Sequence, residues 1–89
     1  MIRFELSDDM GMFHVETAID IKHGAIFCLQ YLRNYVTSRP AVNRITAEET
    51  KSLVRDIEHR SYSFTYPRVS ANEGLVFKSH GYQIRYVRC

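Results

Sequence analysis

The chain has 89 residues, of which 45% are hydrophobic and 25% are charged, and its net charge at pH 7 is +2. This length accommodates one hydrophobic core, so we expect a single α+β domain spanning residues 1–89. The composition excludes a disordered chain, and the small net charge excludes both a strongly acidic DNA mimic and a strongly basic, dedicated nucleic-acid binder.

Two strands are predicted at the N-terminus. Apolar residues alternate with charged ones over residues 2–6, which is the period of a half-buried strand. After a turn at 7–11, a second alternation runs through 13–22, and its apolar side consists of Phe13, Val15, Thr17, Ile19 and Ile21. A competing interpretation begins a helix near Thr17, with Asp20 as its capping partner. We favour the strand, because the helix leaves five consecutive alternations unexplained.

Two helices are predicted in the middle of the chain. The first follows Gly24 and ends at Pro40, because the residue before a proline disfavours helical dihedral angles. Its apolar stripe consists of Ala25, Cys28, Leu29, Leu32, Tyr35 and Val36. The second begins at a capping box formed by Thr46 and Glu49. Its stripe is narrow and consists of Leu53, Val54 and Ile57. We therefore expect the first helix to be central and the second to lie outside.

Three strands are predicted after the second helix. Aromatic and polar residues alternate over 62–66, where Pro67 limits the strand to a short segment or a sheet edge. The segments 75–78 and 82–87 form the last two strands, joined by a short loop that contains glycine. The order of elements is thus ββααβββ, which predicts one antiparallel sheet with both helices packed on a single face.

The cellular compartment is inferred by elimination. Two cysteines are too few for the disulfide framework of a small secreted domain. The N-terminus has no apolar segment of the signal-peptide type, and no run of roughly 18 apolar residues is present to cross a bilayer. We expect a cytoplasmic protein without a membrane partner.

No motif predicts catalysis or a bound cofactor. The four histidines and two cysteines lack the spacings that metal sites use, and no phosphate-binding glycine loop is present. Cys28 lies in the most apolar segment, where burial makes a thiol inert. Catalytic nucleophiles usually stand in a recognisable local motif, and none is found. We therefore expect no enzyme activity, no cofactor and no metal.

The basic C-terminal third is the predicted binding region. It carries four basic residues against one acidic residue after position 60, interleaved with tyrosines. Tyrosine and arginine dominate the hot spots of protein interfaces, so we expect an adaptor or inhibitor that binds another protein. The candidate partner-binding residues are Tyr66, Arg68, Lys78, His80, Arg85 and Arg88. Self-association stays open, because a domain of this size has a thin stability margin.

A nucleic-acid-binding module is the alternative prediction, because aromatic and cationic side chains on a sheet can stack bases and hold phosphates. The alternation of residues in the last predicted strand weakens this nucleic-acid interpretation. Tyr82 and Tyr86 share a face with Ile84, which predicts that both face the core, whereas Arg85 lies on the opposite face. Cations without exposed aromatic side chains are also ordinary solvated surface.

The second half of the chain supplies one further hypothesis. A helical pair followed by three strands, with Gly81-Tyr82-Gln83-Ile84-Arg85-Tyr86 in the last, resembles the ribosome-dependent ribonuclease toxins of the RelE type. The additional N-terminal strand and the end at Cys89 depart from that pattern, so no catalytic residue is carried over. A chain of this length without a motif is also typical of phage-encoded proteins that act on host machinery.

Overall fold

The computed structural model describes residues 1–38, 45–63 and 72–89. The elements in chain order are β1 Ile2–Asp8, β2 Gly11–Ala18, α1 Ile21–Ser38, α2 Ala47–Ser63, β3 Glu73–Ser79 and β4 Tyr82–Arg88. The strands form one sheet in the order β2-β1-β4-β3, and each pairing is antiparallel. The predicted α+β class, with two helices against an antiparallel sheet, is confirmed.

The core lies between the sheet and the two helices. In the central strands β1 and β4 every second side chain is buried, as the alternation predicted, and these residues are Ile2, Phe4, Leu6, Tyr82, Ile84 and Tyr86. The helix α1 lies over β1 and β2, and α2 lies over β3. The predicted stripe of α1 is buried apart from the half-buried Tyr35, and Leu53 and Ile57 of α2 complete the core. The first helix is therefore central.

The predicted end of the second strand is wrong. The strand β2 ends at Ala18 and α1 begins at Ile21, so Ile21 and Lys22 belong to the helix. Asp20 accounts for this boundary, because its carboxylate accepts a hydrogen bond from the backbone N–H of His23 at 2.8 Å. Such a cap satisfies one of the amides that have no partner in the first turn of a helix. Asp20 therefore caps the helix itself. The competing interpretation, which began the helix near Thr17, placed the helix start too early, because Thr17 and Ala18 belong to β2.

The cap has a consequence for the pH dependence of stability. The pKa of the Asp20 carboxyl lies below its ordinary value of 3.8, chiefly because the His23 amide donates to it. A carboxyl with a lowered pKa stabilises the fold above its unfolded-state pKa, and this contribution is lost as the pH falls through the folded-state pKa. Below about pH 4, we expect the free energy of unfolding to fall more steeply in the wild type than in Asp20→Asn, whose amide still caps but does not titrate. Urea unfolding of both proteins at several pH values in this acid range measures the two dependences. If the free energy of unfolding falls equally steeply with pH in both proteins, the prediction is contradicted.

The prediction of which β2 side chains share the apolar side is wrong as well. Ala18, Glu16 and His14 stand opposite Ile2, Phe4 and Leu6, respectively, and so share the helix-covered side with these core residues. The register then shifts by one residue at a β-bulge, because Ser7 stands opposite Met12. Consequently both residues at the bulge reach α1. The Phe13 ring stacks on Tyr35 at 4.4 Å and the His14 ring on Tyr31 at 3.9 Å, measured between ring centroids.

The region after α2 differs from the sequence prediction in its first part. The helix α2 continues to Ser63, so Tyr62 is helical and 89% exposed and does not begin a strand. The rest of that predicted strand, including Phe64 and Tyr66, lies outside the described residues. The last two strands are confirmed, joined by a turn in which His80 and Gly81 have positive φ angles. The capping box at Thr46 and Glu49 is also confirmed, with both reciprocal hydrogen bonds present.

Candidate functional site

The face of the sheet opposite the helices is the candidate site, and we call it the outer face. Neither of the two described helices covers it, because both pack on the other side of the sheet. The register gives its members, which are Arg3, Glu5, Ser7, Met12, Val15, Thr17, Glu73, Leu75, Lys78, Gln83, Arg85 and Val87. It combines aliphatic side chains with charges of both signs.

One row of side chains crosses the middle of this face. Val15, Glu5, Arg85 and Leu75 stand opposite one another on the four strands in turn. The two ends of the row are apolar and accessible, since Val15 is 43% exposed and Leu75 is 51% exposed. The centre is charged, and the Glu5 carboxylate also lies 3.1 Å from the Arg3 guanidinium. The outer face therefore presents a charged centre flanked by two aliphatic contact points.

The structure separates the predicted partner-binding residues. Lys78 and Arg85 both lie on the outer face and are exposed. Arg88 is exposed at the end of β4. His80 turns towards α2, where its Nε2 lies 3.2 Å from the Ser52 hydroxyl and its ring approaches two carboxylates of that helix. The remaining two candidates, Tyr66 and Arg68, lie outside the described residues.

The tyrosines of β4 are part of the core, as their alternation predicted. Tyr82 is 5% exposed and Tyr86 is 1% exposed. Burial raises the pKa of the Tyr82 hydroxyl, and the nearby Asp8 carboxylate raises it further. Neither ring is accessible for stacking on a ligand. In the described segments, the outer face thus has cations without exposed aromatic side chains.

Chemically reactive groups are sparse in the described structure. Burial raises the pKa of the Cys28 thiol to about 12, and the Glu16 carboxylate adds to the effect. Such a thiol stays protonated and is not a nucleophile, which agrees with its predicted role in the core. Within residues 1–38, 45–63 and 72–89, no three His, Cys, Asp or Glu side chains converge as metal ligands do.

Sequence reasoning missed the second accessible feature, which is the free edge of β2 and the helix beside it. The strand β2 lies at the end of the strand order, and its Val15 and Met12 are exposed. Phe27 of α1, which is 54% exposed, lies beside the same strand, next to Glu16 and Ala18. The alternation placed Val15 inside, so its exposure was not expected. The absence of proline and lysine from 11–18 was the sequence signal that this edge is accessible for pairing.

Neither α1 nor α2 has the length and apolar character of a membrane-spanning helix. Comparisons of the chain with protein-family models, with curated proteins and with solved structures give no match. Its class is therefore defined by its own architecture. It is a small α+β domain whose antiparallel sheet is covered on one side by two helices, while no described helix covers the other side.

Proposed function

We propose that this protein acts without catalysis, by binding another protein through the outer face, as an adaptor or an inhibitor. The observation that carries the proposal is the row Val15, Glu5, Arg85 and Leu75 on a sheet face that no described helix covers. Arg85 belongs to a residue type that is enriched in protein interfaces, and the accessible Leu75 and Val15 on either side of it provide apolar surface for a partner to cover.

The physical basis lies in how such a row binds. A partner that covers Leu75 and Val15 removes apolar surface from water, which is favourable by about 25 cal/mol per Å². Arg85 stands between them, beside Glu5, and supplies directional hydrogen bonds to an acidic or carbonyl group of the partner. Because these residues stand on paired strands, their backbone loses little conformational freedom on binding, and the ordering cost is confined to the side chains.

The nucleic-acid alternative has less support. Binding to single strands uses aromatic rings on which bases stack, and Tyr82 and Tyr86 are buried. The cations of the outer face are accompanied by Glu5 and Glu73, so the face does not present a continuous positive potential to phosphates. A protein partner suits this mixture of charges better.

A capture experiment tests the proposal. Tagged wild type, the double variant Leu75→Ala with Arg85→Ala, and the control Lys51→Ala with Arg55→Ala on the exposed side of α2 are each used to capture partners from lysate. Half of each lysate is treated with nuclease. We expect a protein partner that survives nuclease, is retained by the control variant, and binds the outer-face variant roughly tenfold or more weakly in a titration.

Two outcomes would contradict the proposal. If the outer-face variant retains the partner as well as the control does, the partner binds elsewhere. Recovery of nuclease-sensitive nucleic acid alone, with an affinity that falls steeply with salt, would instead establish the nucleic-acid alternative. Circular dichroism of both double variants confirms that each is folded.

A further inference from the structure

The outward edge of β2 is an available pairing surface. Of its two sides, one pairs with β1, and no described strand pairs with the other. Native proteins usually protect such an edge with proline, lysine, a bulge or a covering loop, because its backbone N–H and C=O groups recruit further strands. The bulge of β2 lies near its N-terminal end, at Phe13, and residues 14–18 pair regularly with β1. The segment 11–18 contains neither proline nor lysine nor arginine. A partner strand would take the place of water on these backbone groups.

The arrangement of His14 and Glu16 on β2 favours a second copy of the same strand. Within one strand, Nε2 of His14 already lies 2.8 Å from the Glu16 carboxylate, so the pairing of two copies would set two such pairs side by side. When two copies pair antiparallel around a two-fold axis, one residue faces itself and its neighbours face each other. An axis at Val15 places His14 of each copy opposite Glu16 of the other. An axis at Glu16 would instead set two carboxylates face to face, which is unfavourable. An axis at His14 would set two imidazole rings face to face and form no His–Glu pair between the copies. Only the Val15 register forms both His–Glu pairs, so the strand is complementary to itself.

The position of α1 supports the same pairing. The helix α1 contacts β2, β1 and, to a smaller extent, β4. With the axis of α1 midway between β1 and β2, two copies joined along β2 would place their α1 helices two strand spacings apart. Adjacent strands lie about 4.8 Å apart, so the helices would be separated by about 9.5 Å. Packed helices in proteins lie about 8–10 Å apart. The exposed Phe27, which lies on the β2 side of α1, would then be buried between them.

We propose that two copies of this chain associate by antiparallel pairing of their β2 strands around an axis at Val15, with Phe27 of both α1 helices packed above the seam. The result is one continuous eight-stranded sheet with all four helices on one side. The interface is the edge of the sheet. The outer face stays accessible, and Val15, at one end of its central row, stands beside Val15 of the second copy. The dimer therefore does not depend on the function proposed for that face.

Cysteine cross-linking tests the register. In the background Cys89→Ser, which removes the exposed native thiol, Val15→Cys places the two new side chains opposite each other at the axis. Directly opposite residues have Cβ atoms about 4.5–5.5 Å apart, within reach of a disulfide after small adjustments. The matched control is Thr17→Cys, on the same strand and face, whose copies would lie about 14 Å apart along the strands. We expect oxidation by diamide to cross-link the Val15→Cys variant and not the control.

Sedimentation across a concentration series tests the association itself. We expect the wild type to form a concentration-dependent dimer, and Phe27→Asp to raise its dissociation constant roughly tenfold or more. Gln30→Ala, an exposed change on the same helix, should leave it unaltered. A wild type that stays monomeric at all concentrations would overturn the proposal. So would equal cross-linking of both cysteine variants, or a dimer that Phe27→Asp leaves intact.

Discussion

Replacing Leu29 by alanine is expected to lower the free energy of unfolding by about 2–5 kcal/mol, because the change removes a large side chain from the centre of the core. Leu29 is fully buried on α1, in the same cluster as Phe4 of β1 and Leu53 of α2. The cavity left behind can collapse only if a helix and the sheet move together. Equilibrium unfolding in urea, monitored by circular dichroism, measures the loss.

The control for this variant is Gln30→Ala, which changes the next residue of the same helix. Gln30 is exposed, so its truncation should alter the free energy of unfolding by no more than about 0.5 kcal/mol. A domain of this kind has a total stability of about 5–15 kcal/mol, so the expected loss at Leu29 is easily resolved. Equal losses in the two variants would contradict the central position of α1.

The sequence predicted the fold well where one periodicity was unambiguous. The stripe from Ala25 to Val36 and the alternation in β4 each have one burial pattern that satisfies all their apolar residues. In β2 two signals conflicted, because the alternation continued past Ala18 into residues that Asp20 caps into a helix. The Asp20 cap determined the boundary. An alternation of apolar residues that continues past the end of a strand does not by itself stabilise a longer strand.

The candidate site was harder to predict, because a binding surface depends on which side chains share a face. The bulge at Phe13 leaves Val15 on the outer face, opposite Glu5, and no sequence pattern places such a bulge reliably. His80 illustrates the reverse case. Histidine is a residue type that often occurs in binding sites, but the turn at the end of β3 directs the His80 ring against Ser52 of α2. Composition identified the basic region, whereas register determined which of its residues lie together.

Replacing Gly24 by alanine is expected to destabilise the domain by about 1–3 kcal/mol, although alanine is the better helix former by about 1 kcal/mol. A Cβ atom at this position would lie 2.1 Å from Cε1 of Phe4 and 2.9 Å from Cβ of Ala18. Ordinary carbon contacts are about 3.5–4.0 Å. The Phe4 ring is fully buried, so it cannot move aside without opening the core between α1 and the sheet.

The pair Gly24 and Phe4 provides an internal test of this cause. If the clash with the ring is responsible, Phe4→Leu should relieve part of it, because the shorter side chain does not extend as far towards the helix. The combined variant should then be less destabilised than the sum of its two single changes, a difference that a double-mutant cycle in urea measures directly. If the losses of stability in the two single variants simply add in the double variant, the strain does not come from the contact between residue 24 and the Phe4 ring. A Gly24→Ala variant more stable than the wild type would show that α1 lies farther from β1 than the structure has it, with room for a methyl group.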